Sequence, residues 1–292
     1  MQGLLRQLAF LSFPIAGFIG AVSAAQPSPG CGNAPKLITT AAASTPLSLT
    51  SNSKSRQFYV KLPEPYVKDH PYRLILTLHA LGGNAQQVTV GTGGYLPWYG
   101  MPALVNDSVS AIYVAPNGLN NGWSNQGGED VVFIQQVIKT VEDDLCIDQK
   151  LRFSTGFSYG AAMSYSLACS LGKEIRAVAV LSGNPQISGC SGGTEPVAYY
   201  GQHGVKDQVL PITGGRQMRD RFVKNNGCTA QTPTEPEAGS GKHIKTTYSG
   251  CSADHPVVWV AFDGDHNPQP KDSGKSTTFA AAETWDFFSQ FK

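Results

Sequence analysis

A chain of 292 residues with a formal net charge of +1 offers no electrostatic case for nucleic acid or an anionic membrane as partner. Only 15% of its residues are charged, which suits a secreted enzyme with polar, uncharged loops. The length is normal for one large α/β domain.

Residues 1–25 read as a secretory signal peptide. Arg6 gives the positive start, Leu8 to Val22 is apolar, and Ser23-Ala24-Ala25 offers small residues for cleavage after Ala24 or Ala25. Pro14 and the shortness of the run argue against a membrane anchor, and no later segment holds 18 uninterrupted apolar residues. The expectation is a secreted, extracellular protein whose residues 26–292 form a single catalytic domain.

Gln26 to Ala43 reads as loop. Arg56 to Leu62 alternates and predicts a strand. Arg73 to His79 predicts a buried strand that ends in Ala80-Leu81-Gly82-Gly83-Asn84, and Ser110 to Ala115 predicts another. Val131, Ile134, Ile138, Val141 and Leu145 recur at helical spacing. After the strand Leu151 to Thr155 comes a helix that opens near Ser158. Strands follow at Ile175–Leu181, Pro196–Tyr200 and Val257–Phe262, with helices at Gly215–Lys224 and Thr277–Phe291. Apolar strands alternating with helices predict an α/β class, a mostly parallel sheet covered on both faces, with its site at the carboxyl ends of the strands.

Six cysteines, Cys31, Cys146, Cys169, Cys190, Cys228 and Cys251, behind a signal peptide imply up to three disulfides. Their spacing does not choose the pairing. Cys228–Cys251 is the favoured single guess, because it would close a stretch rich in Pro, Gly and Thr. No pair has zinc-ligand spacing, so no metal is expected. Asn106-Asp107-Ser108 is a glycosylation sequon.

Gly156-Phe157-Ser158-Tyr159-Gly160 has the G-x-S-x-G pattern in a strand–turn–helix setting. So tight a turn strains the serine and leaves no room for a Cβ two residues to either side. Ser158 is therefore the candidate nucleophile, and the Tyr159 N–H a candidate oxyanion donor. In the order Ser, acid, His, Asp207 follows the 196–200 strand and His266 follows the last one. Asp263 and Asp265 remain alternative acids. His70, His243 and His255 read as surface residues, His203 as structural, and His79 as shaping the loop that would supply a second oxyanion donor, the Leu81 N–H.

The context of Ser158, together with Glu142-Asp-Asp-Leu-Cys146-Ile-Asp148, Asn121-Gly122-Trp123-Ser124-Asn125, Gly128 to Phe133, Arg219 to Cys228, Gly264-Asp265-His266-Asn267-Pro268 and Trp285 to Phe291, resembles the fungal feruloyl esterases of carbohydrate esterase family 1. The resemblance spans nearly all of the chain after the signal. It implies an α/β-hydrolase fold, a triad of Ser158, Asp207 and His266, and hydrolysis of ferulate or p-coumarate esters on plant cell-wall arabinoxylan or of small hydroxycinnamate esters. His79-Ala80 departs from the His-Gly start of many relatives. No metal or organic cofactor is called for. A flat aromatic acyl group needs an aromatic-lined slot, for which Trp98, Tyr99, Met101, Trp123 and Tyr159 are the candidates. Acetylxylan or polyester hydrolysis, or carbohydrate binding without catalysis, are the alternative readings.

Overall fold

The computed structural model describes residues 24–38, 45–105 and 109–292. The apolar run of the expected signal and the Asn106 sequon lie outside the described residues. Among the described residues no helix is long and apolar enough to cross a membrane.

One nine-stranded sheet organises the chain. Strand β1 (Leu47–Ser51) pairs antiparallel with β2 (Lys54–Lys61) through a two-residue turn in which Asn52 and Ser53 both have positive φ, the backbone twist that tight hairpins favour. β2 lies antiparallel to β4 (Ala111–Pro116). From β4 the sheet continues in parallel through β3 (Tyr72–Leu78), β5 (Ile147–Phe157), β6 (Ala177–Leu181), β7 (Ala198–Gly204) and β9 (Val257–Phe262). β8 (His243–Thr247) closes the far edge antiparallel to β9. This is the α/β class that the alternation of strands and helices predicts.

Two of these strands, β1 and β8, carry no strong sequence signal. Both are edge strands of partly exposed, mostly polar residues, LSLTS and HIKTT, and an edge is where a sheet tolerates such composition.

The parallel strands β3, β4, β6, β7 and β9 are buried at every residue, and successive side chains alternate between two core clusters, one on each face of the sheet. On one face Leu74, Leu76, Val114, Val178, Val180, Tyr199 and Trp259 pack under α2 (Glu129–Asp144), α3 (Tyr159–Ser170) and α4 (Ile212–Asn225). On the other, Ile75, Tyr113, Phe153, Ala179, Tyr200 and Val260 pack against α1 (Ala85–Val90), α5 (Ala280–Ser289) and the loop at residues 95–101. Trp285, Phe288 and Phe291 enter this second cluster. The short helix α1 has no apolar periodicity to reveal it. Its signal is the capping box of Asn84 with Gln87.

The six cysteines form three disulfides, Cys31–Cys146, Cys169–Cys190 and Cys228–Cys251. The third is the favoured pair, and β8 runs inside the stretch that it closes. The first ties the N-terminal loop to the start of β5, where Ser28 Oγ also donates to the Leu145 carbonyl at 2.7 Å.

Candidate active site

The chain reverses between β5 and α3 with Ser158 at the corner. Its φ of 57° and ψ of −116° are strained for a residue with a side chain. The geometry is held from three sides. A Cβ on Gly156 would stand 2.4 Å from the Gly160 carbonyl carbon, and one on Gly160 would stand 2.2 Å from the Leu78 carbonyl oxygen. The Ser158 N–H donates to the Leu181 carbonyl at 3.0 Å, which fixes the corner to β6. α3 is buried from Gly160 to Cys169, so packing rather than helix propensity holds the serine where it is. As the first residue of α3, Tyr159 has an N–H without an acceptor inside the helix.

Asp207 lies three residues past the end of β7 and His266 four past the end of β9, strands that are neighbours in the sheet. His266 Nδ1 is 2.7 Å from Asp207 Oδ2. Asp207 Oδ1 accepts from the N–H groups of Val209 at 3.0 Å and Leu210 at 2.8 Å. Burial opposes ionisation of this carboxyl, but hydrogen bonds from His203, His266 and the Leu210 N–H outweigh it and hold the group far below the usual carboxylate range. The loops meet closely: a Cβ on Gly204 would stand 2.4 Å from the Gly264 carbonyl oxygen.

The alternative acids face elsewhere. Asp265 Oδ1 accepts the backbone N–H of Gln208 at 3.0 Å and of His266 at 2.7 Å, two bonds that lower its pKa and make it a brace between the loops. Asp263 pairs with Lys206 at 2.7 Å and accepts from the Gly241 N–H, which holds it down at about 2. The imidazole of His266 also packs on Phe157, with ring centroids 4.4 Å apart. That contact sets His266 beside the residue preceding Ser158. Among the described residues no hydrogen bond joins Ser158 Oγ to His266.

His79 organises the opposite wall. It is fully buried; its Nδ1 lies 2.8 Å from the Ala80 carbonyl, and its Nε2 accepts the Gly118 N–H at 2.9 Å. The Nδ1–H tautomer satisfies both bonds. Burial lowers the pKa of this imidazole to about 4, so it is neutral at neutral pH. Trp123 Nε1 donates to the His79 carbonyl at 2.8 Å, and Gly82 N–H donates to the Asn121 carbonyl at 2.8 Å. These bonds lock the 80–84 loop onto the 118–123 loop and present Leu81 outward with 60% exposure.

Three of the aromatic-slot candidates are corrected by their burial. Trp98, Met101 and Trp123 are 2%, 0% and 0% exposed. Trp98 packs on Tyr113, with centroids 6.0 Å apart, and Trp123 packs on His79. All three are core: Trp98 and Met101 sit in a loop that turns through positive φ at Trp98 and Tyr99, and Trp123 is held by its bond to the His79 carbonyl. Tyr99 is a structural brace as well: its hydroxyl donates to the Leu78 carbonyl at 2.7 Å and accepts the Phe157 N–H at 2.9 Å, spanning β3 and β5 beneath the elbow. Tyr159 alone among the five keeps appreciable exposure.

Exposed apolar side chains that composition does not single out, Leu81, Leu96 and Val209, stand on loops at the same carboxyl ends. The side chains of Leu81 and Tyr159 both approach Gly122, whose added Cβ would lie 3.2 Å from one and 3.5 Å from the other. A niche between Tyr95, Tyr99, Leu181, Pro268 and Thr284 has a volume of about 10 Å³, room for one water and not for a ring. Two larger open grooves, of about 640 and 720 Å³, lie at the amino-terminal ends of the parallel strands, away from Ser158.

No family model matches the chain. It is 49% identical to feruloyl esterase D of Neurospora crassa over the full length of both chains. It is 47% identical to feruloyl esterase C of Emericella nidulans, over 89% of this chain and 90% of that one. A solved CE1 ferulic acid esterase of Anaeromyces mucronatus, in complex with ferulic acid, superposes with a TM-score of 0.58 over 85% of this chain and 89% of that one. At 14% identity, this last likeness speaks for the fold alone.

Proposed function

The chain belongs to the fungal feruloyl esterases, and from that premise we propose that it hydrolyses hydroxycinnamate esters on plant cell-wall arabinoxylan through an acyl-enzyme on Ser158. The full-length relationship to feruloyl esterase D carries the reading. The geometry is consistent with the chemistry that the reaction needs.

In this mechanism Ser158 Oγ attacks the ester carbonyl while His266 Nε2 takes its proton. Asp207 holds the Nδ1–H tautomer and stabilises the imidazolium. Negative charge developing on the carbonyl oxygen is met by the Tyr159 and Leu81 N–H groups. The C–O bond to the sugar then breaks, and His266 returns the proton to the leaving alcohol. Water, deprotonated by the same imidazole, attacks the acyl carbon; the bond to Ser158 Oγ breaks, the imidazolium returns the proton to that oxygen, and the hydroxycinnamic acid is released. Leu81 and Tyr159 form the apolar wall against which we seat the aromatic acyl group.

We further read residues 1–25 as a cleaved leader, residues 26–292 as one catalytic domain, and the mature enzyme as extracellular. Three disulfides in a chain of this kind support an oxidising compartment.

The test has two parts. A fluorophosphonate probe should label Ser158 in peptide mapping, and the enzyme should liberate ferulic acid from feruloylated arabinoxylan as measured by chromatography. Labelling without release from the polysaccharide would confine the activity to small esters. Absence of labelling would remove Ser158 as nucleophile.

A further inference from the structure

His203 takes no part in the reaction above, yet it is 1% exposed and stands on β7 four residues before Asp207. Its Nε2 lies 2.7 Å from the Leu210 carbonyl oxygen and 3.2 Å from Asp207 Oδ2. Both neighbours are acceptors when Asp207 is ionised, so Nε2 carries the proton and donates to both. The rest of the ring is clamped. Trp259 stacks beside it, and Nδ1 faces α4 at a point where a Cβ on Gly215 would stand only 2.4 Å away.

Asp207 Oδ2 thus receives a histidine from each side, His266 Nδ1 at 2.7 Å and His203 Nε2 at 3.2 Å. A carboxylate oxygen that shares its charge with a second donor attracts an imidazolium less strongly, because part of its lone-pair density is already engaged. The other charged groups around this pair are Asp265, which accepts the His266 backbone N–H; Lys206, paired with Asp263; and Arg219 of α4, which lies over the Trp259 ring. Among the described residues none of these donates to Oδ2.

We propose that His203 is a positioning residue for the acid: it holds Asp207 Oδ2 in line with His266 and, by sharing that oxygen, moderates the hydrogen bond that His266 Nδ1 makes to it. The inference rests on the reading of Asp207 as the acid and His266 as the base. It extends that reading by assigning the placement of the acid to a residue outside the triad.

The experiment is the pH profile of kcat/KM on methyl ferulate for the wild type, His203→Leu, His203→Gln, Gly215→Ala and Asp207→Asn, with circular dichroism to confirm folding. In His203→Leu the plateau should fall about tenfold, and the apparent pKa of the acid limb should rise by about half a unit or more. His203→Gln, whose amide can reach the same oxygen, should bring the limb back toward wild type. Gly215→Ala, which presses the imidazole from its Nδ1 side toward Asp207 Oδ2, should move the limb in the opposite direction to His203→Leu. A lower plateau with an unmoved limb would reduce His203 to a packing residue, and a wild-type profile in folded His203→Leu would also overturn the proposal. Should His203→Leu fail to fold, an unmoved limb in Gly215→Ala overturns it. Near-normal activity of Asp207→Asn would sink the acid assignment itself. An inactive Asp207→Asn beside an unmoved His203→Leu limb would sink only the role given to His203.

Discussion

Gly160 lies so close beneath Leu78 that a Cβ on it would stand 2.2 Å from the Leu78 carbonyl oxygen. The obstacle is backbone at the end of β3, which cannot step aside as a flexible side chain can. Gly160→Ala should therefore push α3 away from the sheet, lower the melting temperature by several degrees, and reduce ester turnover at least tenfold through misplaced Ser158. Thermal unfolding and kcat measured on the same preparation check this. A Gly160→Ala enzyme with wild-type stability and turnover would show that the elbow has slack it is not credited with.

The two carboxylates flanking His266 should behave differently. Asp207→Asn leaves Nδ1 facing an amide and should cost about 10⁴-fold in kcat. Asp265→Asn keeps an oxygen for the Gln208 and His266 N–H groups and should stay within about tenfold of wild type. Equal losses in both variants would mean that the loop brace matters as much as the acid.

How much of this was legible in the sequence follows from how local each interaction is. The elbow could be read because its sterics involve Gly156, Ser158 and Gly160 in one turn. Position after a strand favours Asp207 over Asp265 in the sequence, but the contact between Asp207 and His266, across 59 positions of chain, is visible only in the fold. The aromatic slot was misread for a related reason. Composition reports that Trp98 and Trp123 exist, but only the tertiary course of their loops decides that both point into the core. β1 and β8 were illegible because edge strands need no apolar run.

His79 predicts a pH dependence of stability. Burial lowers its folded pKa to about 4, against about 6.5 in the unfolded chain. The unfolded state therefore binds more protons in this window, and the contribution of His79 is complete above about pH 6.5 and is lost as pH falls toward 4. His255 is depressed in the same direction, first by burial, so part of the slope belongs to it. Urea unfolding of wild type and His79→Gln at several pH values between 7 and 4.5 should give a shallower decline in the variant. Parallel declines would contradict a buried neutral His79.

The corrected slot makes opposite predictions for aromatics of similar chemistry. Trp98→Ala opens the core and should cost about 3–5 kcal/mol of stability. Tyr159→Ala and Leu81→Ala should leave stability within about 1 kcal/mol but erode the preference for aromatic acyl groups. Denaturant titration paired with kinetics on two esters separates the cases. Loss of preference in a stable Trp98→Ala enzyme would restore Trp98 to the slot.

Catalytic efficiency on methyl ferulate against methyl acetate tests the central claim most directly. An aromatic acyl group seated on Leu81 and Tyr159 should gain about 3 kcal/mol over an acetyl group in the transition state, roughly a hundredfold in kcat/KM. The account predicts a ratio of that order for the wild type, with both activities abolished in Ser158→Ala. Equal efficiency on the two esters would contradict it and leave a general serine esterase in its place.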